Sequence, residues 1–287
     1  MAKLLSYEIF GPAGATKTIA FLHGILGHKR NWRTPALAWN KKNLDFRSIT
    51  IDHRGHGLSG TMTGRNTVES CAQDVKDIFD HELMPSPHNL MAHSFGGKVA
   101  LKYIDICEKQ GIPVPAHTWI LDSMPRKYVK DVDETDSNNS VFKVFSVLNG
   151  LPTIFPSREW FVAELCRQGI SRPIALWLAT NVNIDDTGTY RLGCDLPIVT
   201  DLFMDFCELD MWEFLETYTG NGQIHFVRAG KNPLWEHNDL MKDMMKLAGR
   251  NHRIHVHTMP NVGHWLHTDD LEGLINLTMT HSGLNSS

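Results

Sequence analysis

Short apolar runs alternate with amphipathic segments along most of this chain. Thr18-Ile19-Ala20-Phe21-Leu22 is continuously apolar or β-branched and reads as a buried strand, and Phe46 to Ile51, the run through Leu90-Met91-Ala92, His117 to Leu121, Gln223 to Gly230 and Arg253 to Met259 read as further strands. Lys3 to Phe10 reads as an edge strand closed by the turn Gly11-Pro12-Ala13-Gly14. Between the runs the period changes. After Asn66-Thr67, Val68, Cys71, Ala72, Val75, Ile78 and Phe79 recur at mostly three- and four-residue spacing, which predicts one apolar helix face. Val99, Ala100, Tyr103, Ile104 and Cys107 predict a second helix, and Asp239 to Leu247 and Asp270 to Thr280 two more. Trp32 to Trp39 predicts a short helix with Pro35 near its start. Strands alternating with helices point to an α/β class, with a mostly parallel sheet and helices on both faces.

The pattern breaks after Asp122. Asp131-Val132-Asp133-Glu134-Thr135-Asp136-Ser137-Asn138-Asn139-Ser140 is polar and acidic, and is expected to be a mobile loop. Helical patterns follow over Val141 to Leu148, Arg158 to Gln168, Pro173 to Thr180 and Leu196 to Tyr218, rich in Trp and Phe. We expect an all-helical insertion sitting as a cap, before strand–helix alternation resumes at Gln223. The Gly283 to Ser287 tail is expected to fray.

Composition narrows the function. The 287 residues are 42% hydrophobic and 21% charged, ordinary for a globular protein, and the net charge of −4 gives no basic footprint for nucleic acid. No apolar run is long enough for a membrane span. The N-terminal residues have neither a signal-peptide core nor transit-peptide character. Five scattered cysteines without a C-x-x-C pair fit a reducing compartment, so a cytoplasmic location is expected, with an organelle lumen as the alternative. Oligomeric state leaves no mark in the sequence.

Candidate chemistry concentrates where strands end, the edge at which parallel sheets bind ligands. The stretch Ala92-His93-Ser94-Phe95-Gly96-Gly97 reads as strand, sharp turn, helix, with Ser94 at the apex as a nucleophile. Small neighbours are required there; Ala92 replaces the usual first glycine and stays small. The helix that follows points its N-terminus at Ser94, so the amide of Phe95 is a candidate oxyanion donor. His23-Gly24-Ile25-Leu26-Gly27-His28 follows an earlier strand, and the amide of Ile25 is the second candidate donor. His23 is expected to shape this loop and His93 to pack behind the elbow. Asp52-His53-Arg54-Gly55-His56-Gly57-Leu58-Ser59 follows another strand; we expect an Asp52–Arg54 ion pair that pins the loop. His264, in Asn261-Val262-Gly263-His264-Trp265, is the candidate base. For the acid, Asp122 lies at a strand end, where placement is rigid, and Glu236 lies in a later loop. His255 and His257 alternate on one face of a strand, with His252 nearby, and are candidate metal ligands by spacing; no carboxylate or cysteine accompanies them at ligand spacing, and neither metal nor cofactor is expected.

In this order, His23-Gly24-Ile25-Leu26-Gly27, Asp52 to Ser59, Ala92 to Gly97 and Pro260 to Trp265 resemble the α/β-hydrolases over the whole chain except the insertion. Gly97-Lys98 and Gly263-His264-Trp265-Leu266-His267 resemble, more narrowly, the esterase group of the abhydrolase-domain-11 proteins and YbfF-type esterases. The resemblance implies an α/β-hydrolase fold with an eight-stranded, mostly parallel sheet. Core segments 1–122 and 223–287 would flank a cap, 123–222, inserted after the sixth strand. It implies a serine esterase or thioesterase for small to medium acyl groups, acting through Ser94, His264 and an acid. His23, Gly24, His93 and Trp265 would border the substrate. Most of the family places its acid after the strand that follows the cap, where this chain has Asn232; the YbfF-type group places it after the earlier strand, which favours Asp122 over Glu236. A lyase or carbon–carbon hydrolase on the same residues, and a ligand-binding receptor with weak hydrolase activity, are the alternatives.

Overall fold

The structure is a computed structural model that describes residues 3–82, 86–128 and 140–284. Seven strands form the main sheet: β1 Tyr7–Phe10, β2 Lys17–Leu22, β3 Phe46–Ile51, β4 Asn89–His93, β5 His117–Leu121, β8 Gln223–Ala229 and β9 Ile254–Met259, in the order β1-β3-β2-β4-β5-β8-β9. Only β1 runs antiparallel, against β3; every other pairing is parallel. The central strands are buried along nearly their whole length, as their continuous apolar character requires.

Two expectations are corrected. Among the described residues the sheet has seven strands, not eight, and the insertion follows the fifth strand rather than the sixth. The stretch before Asp122 holds only five strand-length runs, and the link from Phe10 to Lys17 is a turn with no room for another. The sheet carries helices α1 Arg33–Lys42, α2 Val68–His81, α3 Phe95–Gln110, α9 Leu240–Arg250 and α10 Leu271–His281. The side chain of Thr67 caps α2 by accepting from the Ser70 amide, and Asp270 caps α10 by accepting from the Gly273 amide. Two apolar clusters result. The larger joins α2 and α3 to the insertion; the smaller gathers Trp32, Trp39, Trp119 and Leu274.

The insertion between β5 and β8 holds α4 Val141–Gly150, α5 Arg158–Arg167, α6 Arg172–Ala179, α7 Leu196–Glu208 and α8 Trp212–Thr217. It is not all helical: β6 Val182–Ile184 and β7 Tyr190–Leu192 form a two-stranded antiparallel ribbon. The helix expected over Leu196 to Tyr218 is broken at Leu209, where the backbone turns extended. The acidic stretch expected to be a mobile loop lies, but for Ser140, outside the described residues, as do residues 285–287 of the tail. Several hydrogen bonds stitch the insertion to the sheet end. Asn181 Nδ2 donates to the Leu26 carbonyl, the Gly57 amide to that of Gly193, and the Asp195 amide to that of Gly55.

Candidate active site

Ser94 stands between β4 and α3 with φ +50° and ψ −117°. That region is costly for a residue with a Cβ, and it is held because both flanks are fixed: the Ser94 amide donates to the Leu121 carbonyl at 2.9 Å and the Gly97 amide to the Ser94 carbonyl at 2.8 Å. The small residues after it are dictated by contact. A Cβ on Gly96 would lie 2.8 Å from the carbonyl oxygens of Leu22 and His23, and one on Gly97 would lie 2.4 Å from Ser123 Cβ. Positive φ is shared by only three other non-glycine residues among those described: Leu26, Asp122 and Asp239. Ser94, Leu26 and Asp122 all border one cavity of about 540 Å³, so backbone strain gathers at this place.

Asp122 is buried at the end of β5, and its carboxylate is saturated. Oδ1 accepts from the Ala229 amide at 2.9 Å and from Trp235 Nε1 at 2.6 Å. Oδ2 accepts from Asn232 Nδ2 at 2.6 Å and from His264 Nδ1 at 2.7 Å. These occupy all of the roughly four lone-pair sites a carboxylate offers. A carboxylate can only accept, so Nδ1 of His264 carries the proton and Nε2 is left as the basic nitrogen. Glu236, the alternative acid, is exposed and paired with Arg228. Asn232, Trp235 and Ala229 went unrecognised as partners of Asp122 in the sequence. Only the pairing of β5 with β8 brings them there.

The loop after β2 is held by three neutral histidines. His23 Nδ1 donates to the Gly24 carbonyl at 2.8 Å, and its Nε2 accepts from the His53 amide at 3.1 Å. His53 Nε2 donates to the His23 carbonyl at 3.1 Å. His56 Nδ1 donates to the Arg54 carbonyl at 2.9 Å, and its Nε2 accepts from the Leu26 amide at 3.2 Å. Burial keeps all three uncharged: it drives His23 well below its ordinary range, His53 to about 3 and His56 to about 4. The expected Asp52–Arg54 pair does not form. Asp52 binds Lys29, through Nζ at 3.0 Å and the backbone amide at 2.6 Å, while Arg54 pairs with Asp74 at 2.7 Å. The end of β3 sends these neighbours to opposite sides, Asp52 to the turn after β2 and Arg54 to α2.

His93 is buried behind the elbow, and its Nε2 donates to the His264 carbonyl at 2.7 Å. It thereby fixes the backbone that presents the His264 ring. Burial, and then the nearness of His264 and His267, drive His93 well below its usual range. Trp265 stands beside the His264 ring, with 5.8 Å between ring centroids, and meets Trp177 of α6 at 5.5 Å. Ser94, His264, Asp122, Ile25, Phe95, His23, Gly24, His93 and Trp265 all border the cavity. Met124, Tyr128, Val144, Ile174, Phe203 and Phe206 give it an apolar wall from the segment after β5 and the insertion. His255 and His257 lie elsewhere: His255 donates from Nε2 to Gln223 Oε1 at 2.7 Å, and His257 Nε2 is 3.1 Å from His225 Nδ1. Among the described residues no helix is long and apolar enough to cross a membrane.

Comparison with known proteins agrees with this architecture. The sn-1-specific diacylglycerol lipase ABHD11 of Xenopus tropicalis is 24% identical over 273 residues, covering 95% of this chain and 80% of that protein. The protein of the same name from Mus musculus is 25% identical over 274 residues, covering 92% and 80%. The solved structure of a marine microorganism esterase superposes with a TM-score of 0.77 at 21% identity, over 97% of this chain and 99% of that one. A model of the alpha/beta hydrolase family matches residues 19–277, from β2 into α10, and the chain belongs to that family.

Proposed function

We propose that the protein is a serine hydrolase that cleaves carboxylic esters or thioesters of small to medium acyl groups through Ser94, His264 and Asp122. The observation that carries this reading is the 2.7 Å hydrogen bond from His264 Nδ1 to the buried Asp122, beside a cavity that Ser94 also borders. Ser94 Oγ attacks the acyl carbonyl. His264 Nε2 takes its proton and later returns it to the leaving group, while Asp122 holds the ring and stabilises its cation. The amides of Ile25 and Phe95 receive the oxyanion; among the described residues neither has an acceptor in the protein. One such donor is worth roughly 3 to 4 kcal/mol in the transition state. Water then releases the acid from the acyl-enzyme. No step needs a cofactor.

The cavity suggests which part of the substrate goes where. The leaving group departs toward the residue that protonates it, beside Trp265 and Trp177. The acyl chain then extends the other way, over Phe95 toward Phe206, whose rings are 5.8 Å apart. In this reading 123–222 act as a cap on a core made of 1–122 and 223–287, and His23, Gly24, His93 and Trp265 border the bound ester. The name of the Xenopus and mouse relatives adds diacylglycerols to the esters worth trying.

The test is labelling with a fluorophosphonate, followed by a panel of p-nitrophenyl esters, acyl thioesters and a diacylglycerol. Ser94 is expected to take the label, and S94A to lose both label and turnover. An unlabelled Ser94 in the folded protein, with a control esterase labelled alongside, overturns the reading.

A further inference from the structure

Lys98 lies one turn into α3, directly behind the elbow, and is fully buried. Among the described residues no carboxylate is within ion-pairing distance of it. Its ammonium instead donates to the Phe206 carbonyl at 2.7 Å and to the Leu209 carbonyl at 2.6 Å, and lies 4.5 Å from the centre of the Phe206 ring. These carbonyls belong to the open C-terminal end of α7, which carries partial negative charge and lacks helical partners for its last oxygens. Burying an ammonium is costly unless it is hydrogen-bonded, and here the two carbonyls at the end of α7 supply that pairing, which an apolar side chain could not make.

We propose that Lys98 is a positioning residue that fastens the end of α7 to the elbow helix and so sets the acyl end of the cavity. Phe203 and Phe206 are carried on α7 and border the cavity. Phe203 stacks on Phe145 of α4 with centroids 4.7 Å apart, and Phe206 meets Phe95, the residue after Ser94. Moving the end of α7 therefore moves the wall that a longer acyl chain touches and leaves a two-carbon acyl group untouched. The second carbonyl, at Leu209, lies where the chain leaves α7, so Lys98 also holds the break that separates α7 from α8. This inference rests on the reading of Ser94 as the acylated residue.

Burial pushes the Lys98 ammonium down to about 8. The charges of Cys207, Asp210, Asp205 and Glu208, all at or just beyond the end of α7, act in the opposite direction. Above that pH the tether loses its charge, and charge-assisted bonds are about twice as strong as neutral ones.

The experiment compares p-nitrophenyl octanoate with p-nitrophenyl acetate in the full-length wild type and in K98M. With K98M, KM for the octanoate is expected to rise about fivefold while kcat for the acetate stays within about twofold, the signature of lost binding remote from the reacting atoms. In the wild type the octanoate-to-acetate ratio of kcat/KM is expected to fall from about pH 7 to about pH 9, since the ratio cancels titration common to both esters. Amide hydrogen exchange over 203–211 is expected to quicken in K98M, a readout independent of activity. Equal loss for both esters, or unchanged exchange over 203–211, overturns the proposal; if K98M does not fold, the same comparison in K98Q, which keeps a donor for the two carbonyls, decides. Failure of the hydrolase reading shows separately, as absence of label on Ser94, and the exchange over 203–211 then decides whether Lys98 holds α7.

Discussion

Asn232 Nδ2 donates to Asp122 Oδ2 at 2.6 Å, on the same oxygen that accepts from His264. An asparagine that follows β8 thus supports the carboxylate that follows β5. Its own carbonyl oxygen accepts from the Leu234 amide at 3.1 Å, which fixes the amide's orientation toward Asp122.

This relation ranks three substitutions. D122N keeps the shape but removes the charge and presents a donor to His264, which favours the wrong tautomer; a loss of about 10⁴ in kcat is expected. N232A removes one of four donors to the carboxylate and is expected to cost about tenfold in kcat/KM, equivalent to about 1.4 kcal/mol. E236Q touches only the exposed pair with Arg228 and should stay within about twofold. Steady-state kinetics on one short ester measures all three, and a larger loss in E236Q than in D122N refutes Asp122 as the acid.

Trp235 gives a prediction on stability rather than rate alone. Its ring is fully buried and its Nε1 donates to Asp122 Oδ1 at 2.6 Å. W235F removes that donor, so the carboxylate keeps one buried lone pair without a partner, and it also leaves the volume of half an indole unfilled. A loss of about 1–3 kcal/mol in unfolding free energy is expected from the polar part alone. Urea unfolding measures it; an unchanged midpoint in W235F would show that the bond contributes nothing.

The elbow was legible in the sequence because its constraints are local: a strained turn and two close contacts dictate Gly96 and Gly97 within a few residues of Ser94. Asp122 was legible as a strand-end carboxylate. Its supporting donors were not, because Ala229, Asn232 and Trp235 lie more than a hundred residues away and meet Asp122 only through the β5–β8 pairing. Proximity along the chain misled at Asp52 and Arg54. Two residues apart at the end of β3, they face different elements and bind Lys29 and Asp74. The break after α7 was hidden too, since the apolar pattern runs on through Leu209, Met211 and Trp212 while the backbone turns at Leu209.

Acid should unfold this protein early. His53, His56, His225 and His267 are buried, and burial drives them to about 3, 4, 2 and 4. Each folded-state value lies below the ordinary value of about 6.5 that the unfolded chain has. As pH falls below about 6.5 the unfolded chain takes up these protons first, so the stability is fully present above that pH and is lost on the way down toward the folded values. Each histidine contributes a slope of up to about 1.4 kcal/mol per pH unit within its window. The melting temperature is therefore expected to drop steeply between about pH 6.5 and pH 5, above the range where carboxylates titrate. A flat profile there would show that these rings are charged or solvated in the folded protein.

Arg54 and Asp74 form the most enclosed arginine–carboxylate pair described, with side-chain exposures of 4% and 8%. Arg54 Nε donates to Asp74 Oδ2 at 2.7 Å and Nη2 to Oδ1 at 2.8 Å, a two-pronged geometry, while Nη1 donates to the Arg65 carbonyl at 2.6 Å. The pair joins the loop after β3 to α2 and does not border the cavity. D74A leaves the guanidinium buried with only carbonyl partners, and removing one member of a buried pair costs about 3–5 kcal/mol. The loop carrying His53 and His56 hangs on Arg54, so part of the loss should also appear as slower turnover, through the hold of His56 on the Leu26 amide. D74A is therefore expected to unfold at much lower urea while its folded fraction keeps the same acyl-length preference, since the Phe206 wall is untouched. Equal stability of D74A and wild type would show that the pair, despite its burial, is energetically neutral.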